Sequence, residues 1–373
     1  MSWLTTRLVF SNITNNKVSE SSPVLLTNSY TMSEPVALTQ LTLDEEDRPR
    51  YSLADLRSYF TRIELPQQHI DSPILTDATK ANTKEHGLPF LHALTRHHTC
   101  NVPFENLELH YSAHKTISLD PEHLYRKFVH QRRGGRCMEN NTFFATVLRS
   151  LGFDVRSCAG RVSRAMSPYA EVRRNQSQTY DGWNHMLNLV RLEGEWYVVD
   201  VGMGSMGPNL PYPLRDGFKT VSIPPRKIRL QLRPIAESYA RNPNNAPKMW
   251  CYDVCYDPTG SADDKWVPVY CFTETEFLPQ DYETMSWFTS THPSSFFTRY
   301  VTCTKMIMDD AKEKIVGNNT LFVGTIRESI GSDRKVIREC TTEDERVQAL
   351  KEIFDVTLTD KERNGISKDL KLA

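Results

Sequence analysis

An α+β architecture, helices first and antiparallel strands after, follows from three features of this 373-residue chain. Apolar residues recur at helical spacing between Ser52 and Leu151. From Asp154 the period changes to alternation, in short segments bounded by Gly, Pro and Asn. The last hundred or so residues mix the two patterns. The length allows two or three units with ample core, and the composition shifts divide it into an extension (1–50), a helical region (51–155), a β region (156–275) and a mixed region with a closing helix and tail (276–373).

Residues 1–50 are rich in Ser, Thr and Asn and lack periodicity, so they read as a disordered extension. Arg7 and Lys17 occur there with no acid before Glu20, yet the amphipathic Arg-rich face of a mitochondrial presequence is missing, and Met32 offers an alternative start. The first helix opens at Ser52, with Asp55 completing a capping box and Leu53, Leu56, Phe60 and Ile63 on one face. A second covers Leu88 to about His98, where the His97-His98 pair reads as structural. A third starts with Asp120 as N-cap and Pro121 at N1. The fourth begins near Cys137, carries Phe143, Phe144, Val147, Leu148 and Leu151 at helical spacing, and stops at Gly152. Strands are predicted in DVRSCAGRVSR, MLNLVRLEGEWYVVDVG, KIRLQLRP, MWCYDVCYD and TLFVGTI, and a last helix is capped by Thr342 and Glu345.

Forty-five basic against 46 acidic side chains leave a net charge of −1, which gives no footprint for nucleic acid or anionic membrane. No apolar run approaches the ~18 to 20 residues of a membrane span. The eight cysteines are scattered, without the spacing of a secreted disulfide scaffold, and read as reduced thiols of a cytoplasmic protein. Cys251 and Cys255 lack a second Cys or His pair at ligand spacing, so core filling is favoured over a metal, and the chain carries no P-loop or dinucleotide fingerprint.

One cysteine stands apart. In RRGGRCMENN, Gly134 and Gly135 permit a tight turn with positive φ that feeds a helix, placing Cys137 in its first turn among exposed N–H groups, with Arg133 and Arg136 nearby. A buried, inert thiol fits the same ten residues. A nucleophilic cysteine needs a base and a group to orient it. His185 and Asp200 fit if Glu193-Gly194 is a two-residue turn, because Asp200 then lies opposite Leu187 and diagonal to His185. An odd loop breaks that geometry, leaving a half-buried strand histidine and an aspartate serving the turn at Gly202-Met203-Gly204.

Beyond these residues, the segments YFTRI (59–63), VPFENLELH (102–110), RRGGRCMENN, NHMLNLV, WYVVDVGMG and FTETEFLPQDYETMSWFTSTHPSSFF resemble the arylamine N-acetyltransferases, in family order from about residue 52 to about 357. The resemblance implies a helical bundle carrying Cys137, a β-barrel carrying His185 and Asp200 as the rest of a cysteine-protease-like triad, and an α/β lid. It implies that acyl-coenzyme A is the co-substrate with no bound cofactor or metal, that small arylamines are the partners, and that xenobiotic detoxification is the setting. It places Phe104 and Asn184 on the acceptor side, and Arg136, Gly182, Gly202, Met203, Gly204 and the run Pro293, Ser294, Ser295, Phe296 on the coenzyme A side.

Arg136 stands where the family usually has an aromatic or apolar residue, and Met203 where it usually has Phe. An arginine beside the nucleophile can pair with a carboxylated acyl group and so favour malonyl- over acetyl-coenzyme A; a solvent-facing charge that tunes the thiolate is the plainer reading. The stretch between Arg161 and Tyr180 is longer than in compact members, reads as an exposed loop and, with the extended N-terminus, suggests a fungal-type member. The rival readings are a transglutaminase-like hydrolase or transamidase, which uses the same residue order, and an inactive coenzyme A-binding relative.

Overall fold

Helix capping sets where the chain turns in its first hundred described residues. The computed structural model describes residues 48–256 and 266–373; the expected extension falls almost wholly outside them. Ser52 accepts the Asp55 N–H and opens α1 (Leu53–Arg62). After the single turn α2 (Gln67–Ile70) come α3 (Gly87–Asn101), the two-residue strand β1 (Phe104–Glu105) and α4 (Leu107–Tyr111). Asp120 caps α5 (Pro121–Tyr125), whose next turn widens to a π-type turn over Arg126–His130, and α6 spans Cys137–Ser150. One buried cluster binds these helices: Phe60, Leu91, Leu94, Phe128, Phe143 and Leu148 are fully inaccessible.

Eight strands follow as one antiparallel sheet: β2 (Asp154–Val162), β3 (His185–Leu192), β4 (Glu195–Val199), β5 (Tyr212–Pro213), β6 (Lys219–Val221), β7 (Lys227–Pro234), β8 (Lys248–Cys255) and β9 (Val267–Glu276). Their order is β5-β4-β3-β2-β9-β8-β7-β6. On a flat sheet β5 and β8 would lie roughly 24 Å apart. Tyr212 and Tyr252 from those two strands nevertheless stack with ring centroids 6.1 Å apart. The sheet therefore curls into a half-barrel, filled by these rings with Leu187, Leu230 and Phe272. Cys251 and Cys255 lie buried on β8, and none of the eight cysteines is disulfide-bonded. Between β2 and β3 the expected loop contains a short helix, α7 (Ala170–Gln176).

The last third holds α8 (Pro279–Thr291), α9 (Phe296–Arg299), β10 (Thr302–Met308), β11 (Ile315–Phe322), β12 (Thr325–Ile330), β13 (Asp333–Glu339), α10 (Glu343–Phe354) and α11 (Asp360–Arg363). TLFVGTI, expected as one strand, is the end of β11, a turn at Val323-Gly324 and the start of β12. Val323 takes a left-handed φ of 60° there, and the tight turn outweighs its β preference. The second sheet, β1-β10-β11-β12-β13, draws its first strand from the helical region. Leu107 and Tyr111 of α4 share a core with Leu321, Leu350 and Phe354. Among the described residues no helix is long and apolar enough to cross a membrane.

Candidate active site

The β3–β4 hairpin brings two of the expected residues together. Glu193 (φ 48°) and Gly194 (φ 84°) form its two-residue loop, both left-handed, the backbone that matches strand twist. Leu192 pairs with Glu195 and Asn188 with Val199, so Asp200 continues opposite Leu187. The His185 Nε2 and Asp200 Oδ2 atoms are 2.8 Å apart, both side chains buried. On its other side His185 pairs with Gly160, where a Cβ would stand 3.5 Å from the imidazole Cδ2 and 3.0 Å from the Cys271 carbonyl oxygen. The Tyr270 ring packs 4.9 Å from the imidazole.

Cys137 arrives from α6, as its first residue. The two glycines before it are needed for closeness and not, as expected, for positive φ. Neither is left-handed; Arg132, at 53°, is. A Cβ on Gly134 would lie 1.8 Å from the Pro103 carbonyl oxygen, and one on Gly135 2.7 Å from the Glu139 Cβ. Arg133 ties this turn to two distant segments, its Nε donating to Glu105 (3.2 Å) and its Nη1 to Glu362 on α11 (2.7 Å). Glu139 accepts the Arg136 N–H on one oxygen (2.9 Å), and on the other it meets the buried Lys127 ammonium (2.6 Å), which also reaches Glu108 (3.2 Å). The Cys137 thiol, 6% exposed, donates to the Asn184 carbonyl (3.7 Å) and interacts with His185.

Since Asp200 engages Nε2, the His185 nitrogen left for the sulfur is Nδ1. Burial opposes a charged imidazole, but the Asp200 carboxylate, its hydrogen bond and the Cys137 sulfur outweigh it and push the His185 pKa up to about 10. Burial also opposes charge on Asp200, yet the His185 cation and hydrogen bonds from Asn141 and Gly202 hold its carboxyl below the usual range. The arrangement can take a proton from a thiol and keep it.

Asn141 was not singled out from the sequence and is the clasp of the site. Its Nδ2 donates to the Met186 carbonyl (2.7 Å) and to Asp200 Oδ1 (3.0 Å), and its Oδ1 accepts the Val201 N–H (3.2 Å). The signal was available: four residues after Cys137, it shares that side of α6. Asn140, its neighbour, is bonded to His98, whose buried ring also meets the Tyr59 hydroxyl. Gly202 has no room for a side chain, since a Cβ would lie 2.7 Å from the Cys137 Cα.

Arg136 is 2% exposed, which removes the solvent-facing reading. Its Nη1 donates to Thr289 (3.1 Å), its Nη2 to Ser286 (3.2 Å) and Ser290 (2.7 Å), all on one face of α8. The Nε has no hydrogen-bond partner, with Glu139 Oε2 at 3.7 Å, and the guanidinium carbon lies 5.1 Å from the Phe297 ring centroid. Phe297 in turn meets Phe104 (6.1 Å).

The other expected residues are spread around this centre. Gly204 (φ 58°) abuts Phe104, and Met203 packs on the half-barrel core. Asn184 spends its Oδ1 on the Val162 N–H (2.8 Å) and offers its backbone carbonyl to the sulfur. Gly182 is exposed, with nothing near its would-be Cβ. Pro293 and Ser294 are exposed, Ser295 caps α9, and Phe296 stacks on Phe322. Phe297, one residue beyond that run, is the one that reaches Arg136. Among the described residues no cluster of three His, Cys, Asp or Glu side chains suits a metal ion.

A family model described as N-acetyltransferase matches residues 87–363. The arylamine N-acetyltransferase of Nocardia farcinica superposes with a TM-score of 0.65 at 25% identity, over 87% of this chain and 99% of that one. The chain belongs to the arylamine N-acetyltransferase family. Within the family it is similar to the N-malonyltransferase FDB2 of Fusarium pseudograminearum, 68% identical over 92% of this chain and 99% of the relative. The Mycobacterium marinum arylamine N-acetyltransferase in complex with CoA also superposes, with a TM-score of 0.64, 25% identity and coverage of 85% and 98%. As a member of that family, the chain is an N-acyltransferase.

Proposed function

We propose that the chain moves an acyl group, malonyl in preference to acetyl, from coenzyme A to the nitrogen of an aromatic amine, hydrazine or hydroxylamine through a thioester on Cys137. The observation that carries this reading is the run Cys137, His185 Nδ1, His185 Nε2, Asp200 at the head of α6. In the first half-reaction His185 takes the thiol proton, the sulfur attacks the thioester carbonyl, and the coenzyme A thiolate leaves and is protonated by the imidazolium. In the second, the amine attacks the acyl-enzyme, Nδ1 accepts the amine proton, and the Cys137 sulfur departs. Asp200 holds the tautomer and the imidazolium. The Cys137 N–H, in the first turn of α6, suits the developing oxyanion.

Arg136 supports the malonyl preference. The buried guanidinium is held by three neutral hydroxyls; burial lowers its pKa, the charges of Glu139 and Cys137 oppose that, and its Nε has no hydrogen-bond partner. The similarity to N-malonyltransferase FDB2 points the same way.

The test is intact mass after brief exposure to acetyl-, propionyl- and malonyl-coenzyme A without amine. One acyl adduct, lost in Cys137→Ala, is expected. No adduct with any donor on folded protein would leave the hydrolase or the inactive binder. For Arg136→Leu, the ratio of kcat/KM for malonyl- over acetyl-coenzyme A should drop about 10- to 100-fold, the worth of one charge-assisted hydrogen bond. An unchanged ratio ends the Arg136 assignment while leaving the thioester chemistry standing.

A further inference from the structure

An acyl donor must bring its carbonyl carbon to within about 3.5 Å of the Cys137 sulfur, yet that residue is 6% exposed and His185 only 1%. Some part of the rim has to move. The rim can be traced as a closed circuit of contacts. Cys137 touches Asn184, and residues 181–184 run back into the 163–180 segment, whose stems are joined by the Ser163–Tyr180 bridge and the Arg164–Asp181 ion pair (3.1 Å). From the apex of that segment the Tyr169 hydroxyl accepts from Arg299 Nη1 (2.8 Å) and lies 3.3 Å from the Tyr300 hydroxyl. Those two residues belong to the α9 segment, which returns through Phe297 to Arg136 and so to Cys137.

Three parts of this circuit are fixed. Asn106 Nδ2 holds α9 from behind through the Phe297 (3.0 Å) and Tyr300 (2.7 Å) carbonyls. Tyr282, Met285, Ser286 and Thr289 bury one side of α8. Asn184 is bonded to Val162 and Gly160 of β2. The fourth part is different: α7 buries none of its residues, and Tyr169 is 39% exposed, joined to α9 by surface hydrogen bonds alone. Such contacts open at little cost, whereas α8 and Asn184 would have to leave packed surroundings, and α9, which buries none of its residues either, would have to break both bonds to the buried Asn106 and its ring contacts with Phe104 and Phe322.

We propose that residues 167–179, between stems buried at Ser163, Ala165 and Tyr180, form a strap across the mouth of the site, with Tyr169 as its catch, and that it sets the size of molecule that reaches Cys137. Its effect on turnover rests on Cys137 being the acyl carrier; its effect on access does not. Substrates enter when the catch releases and react after it closes again, so Tyr169 acts on specificity without touching the reacting atoms.

Thiol labelling separates access from chemistry. Full-length wild type, Tyr169→Phe and Arg299→Met are treated with iodoacetamide and with pyrenylmaleimide, and modification of Cys137 is followed by peptide mass with Cys137→Ala as background. Loss of the catch should speed the bulky reagent roughly fivefold while moving the small one less than about twofold. Relative kcat/KM for a fused-ring amine over aniline should rise in the same variants. An unchanged bulky-to-small ratio in both variants overturns the strap, even if the enzyme acylates normally. A raised ratio with no acyl adduct from any donor keeps the strap and removes the acyl-carrier reading.

Discussion

Asp200→Asn should lower the rate of acyl-enzyme formation by about 10³- to 10⁴-fold, the cost of presenting the wrong imidazole tautomer to a nucleophile. The carboxylate accepts from His185 Nε2–H, which leaves Nδ1 with a lone pair toward the sulfur. An amide at that position donates to Nε2 instead, moves the ring proton to Nδ1 and removes the acceptor. The pH profile should change with it. A histidine raised to about 10 stays protonated below that pH and loses its proton above it. In wild type the imidazole proton should therefore be lost only near pH 10, and in the variant, without the carboxylate, at a clearly lower pH, as read from the ring carbon shifts by NMR. Asn141 and the Gly202 N–H still hold the residue in place, so folding is not expected to confuse the result. Single-turnover acylation followed by quenched mass spectrometry measures it. A loss below about tenfold would take the His185–Asp200 pair out of the mechanism.

Lys127→Met should be the most destabilising single change near the site. Burial disfavours the lysine charge, but Glu139, Glu105 and Glu108 outweigh it and raise its pKa. Removing the cation leaves the carboxylates of Glu139 and Glu108 without it in largely buried surroundings, a loss of about 3–5 kcal/mol, or about 4–7 °C in melting temperature for a chain of this size. Because Glu139 also holds the Arg136 N–H, the turn carrying Cys137 loosens with it. Adding Glu139→Gln to Lys127→Met should recover part of the stability, since it removes a stranded charge, but not the activity. Calorimetry of the single and double variants decides this: a melting point within about 2 °C of wild type in Lys127→Met would mean the network contributes little.

How much of this was legible follows from how local each feature is. The Cys137 helix start, the Ser52 and Thr342 caps and the Glu193-Gly194 turn are written in three or four adjacent residues, and the turn's two-residue length alone fixed the diagonal of His185 and Asp200. The family resemblance extended this to the whole chain. The burial of Arg136 was not legible, because it depends on three hydroxyls of α8 some 150 residues later. Asn141 shared the quoted decapeptide's helix, yet its three partners lie on β3 and beyond β4. The two glycines misled for a related reason: a turn glycine suggests positive φ, while these two answer to the Pro103 carbonyl and Glu139, approaches no local pattern announces.

The tether from Arg133 to Glu362 bears on the order in which the protein is made. These partners are 229 residues apart, and β1 must likewise wait for β10. At a ribosomal pace of roughly 5–20 residues per second, the nucleophile's turn is synthesised some 10 to 45 s before its last anchor exists. During translation, then, the helices carrying Cys137 are finished early and their active geometry late, and a transcript stopped before codon 362 would yield a stretch of ordered helices around an unbraced thiol.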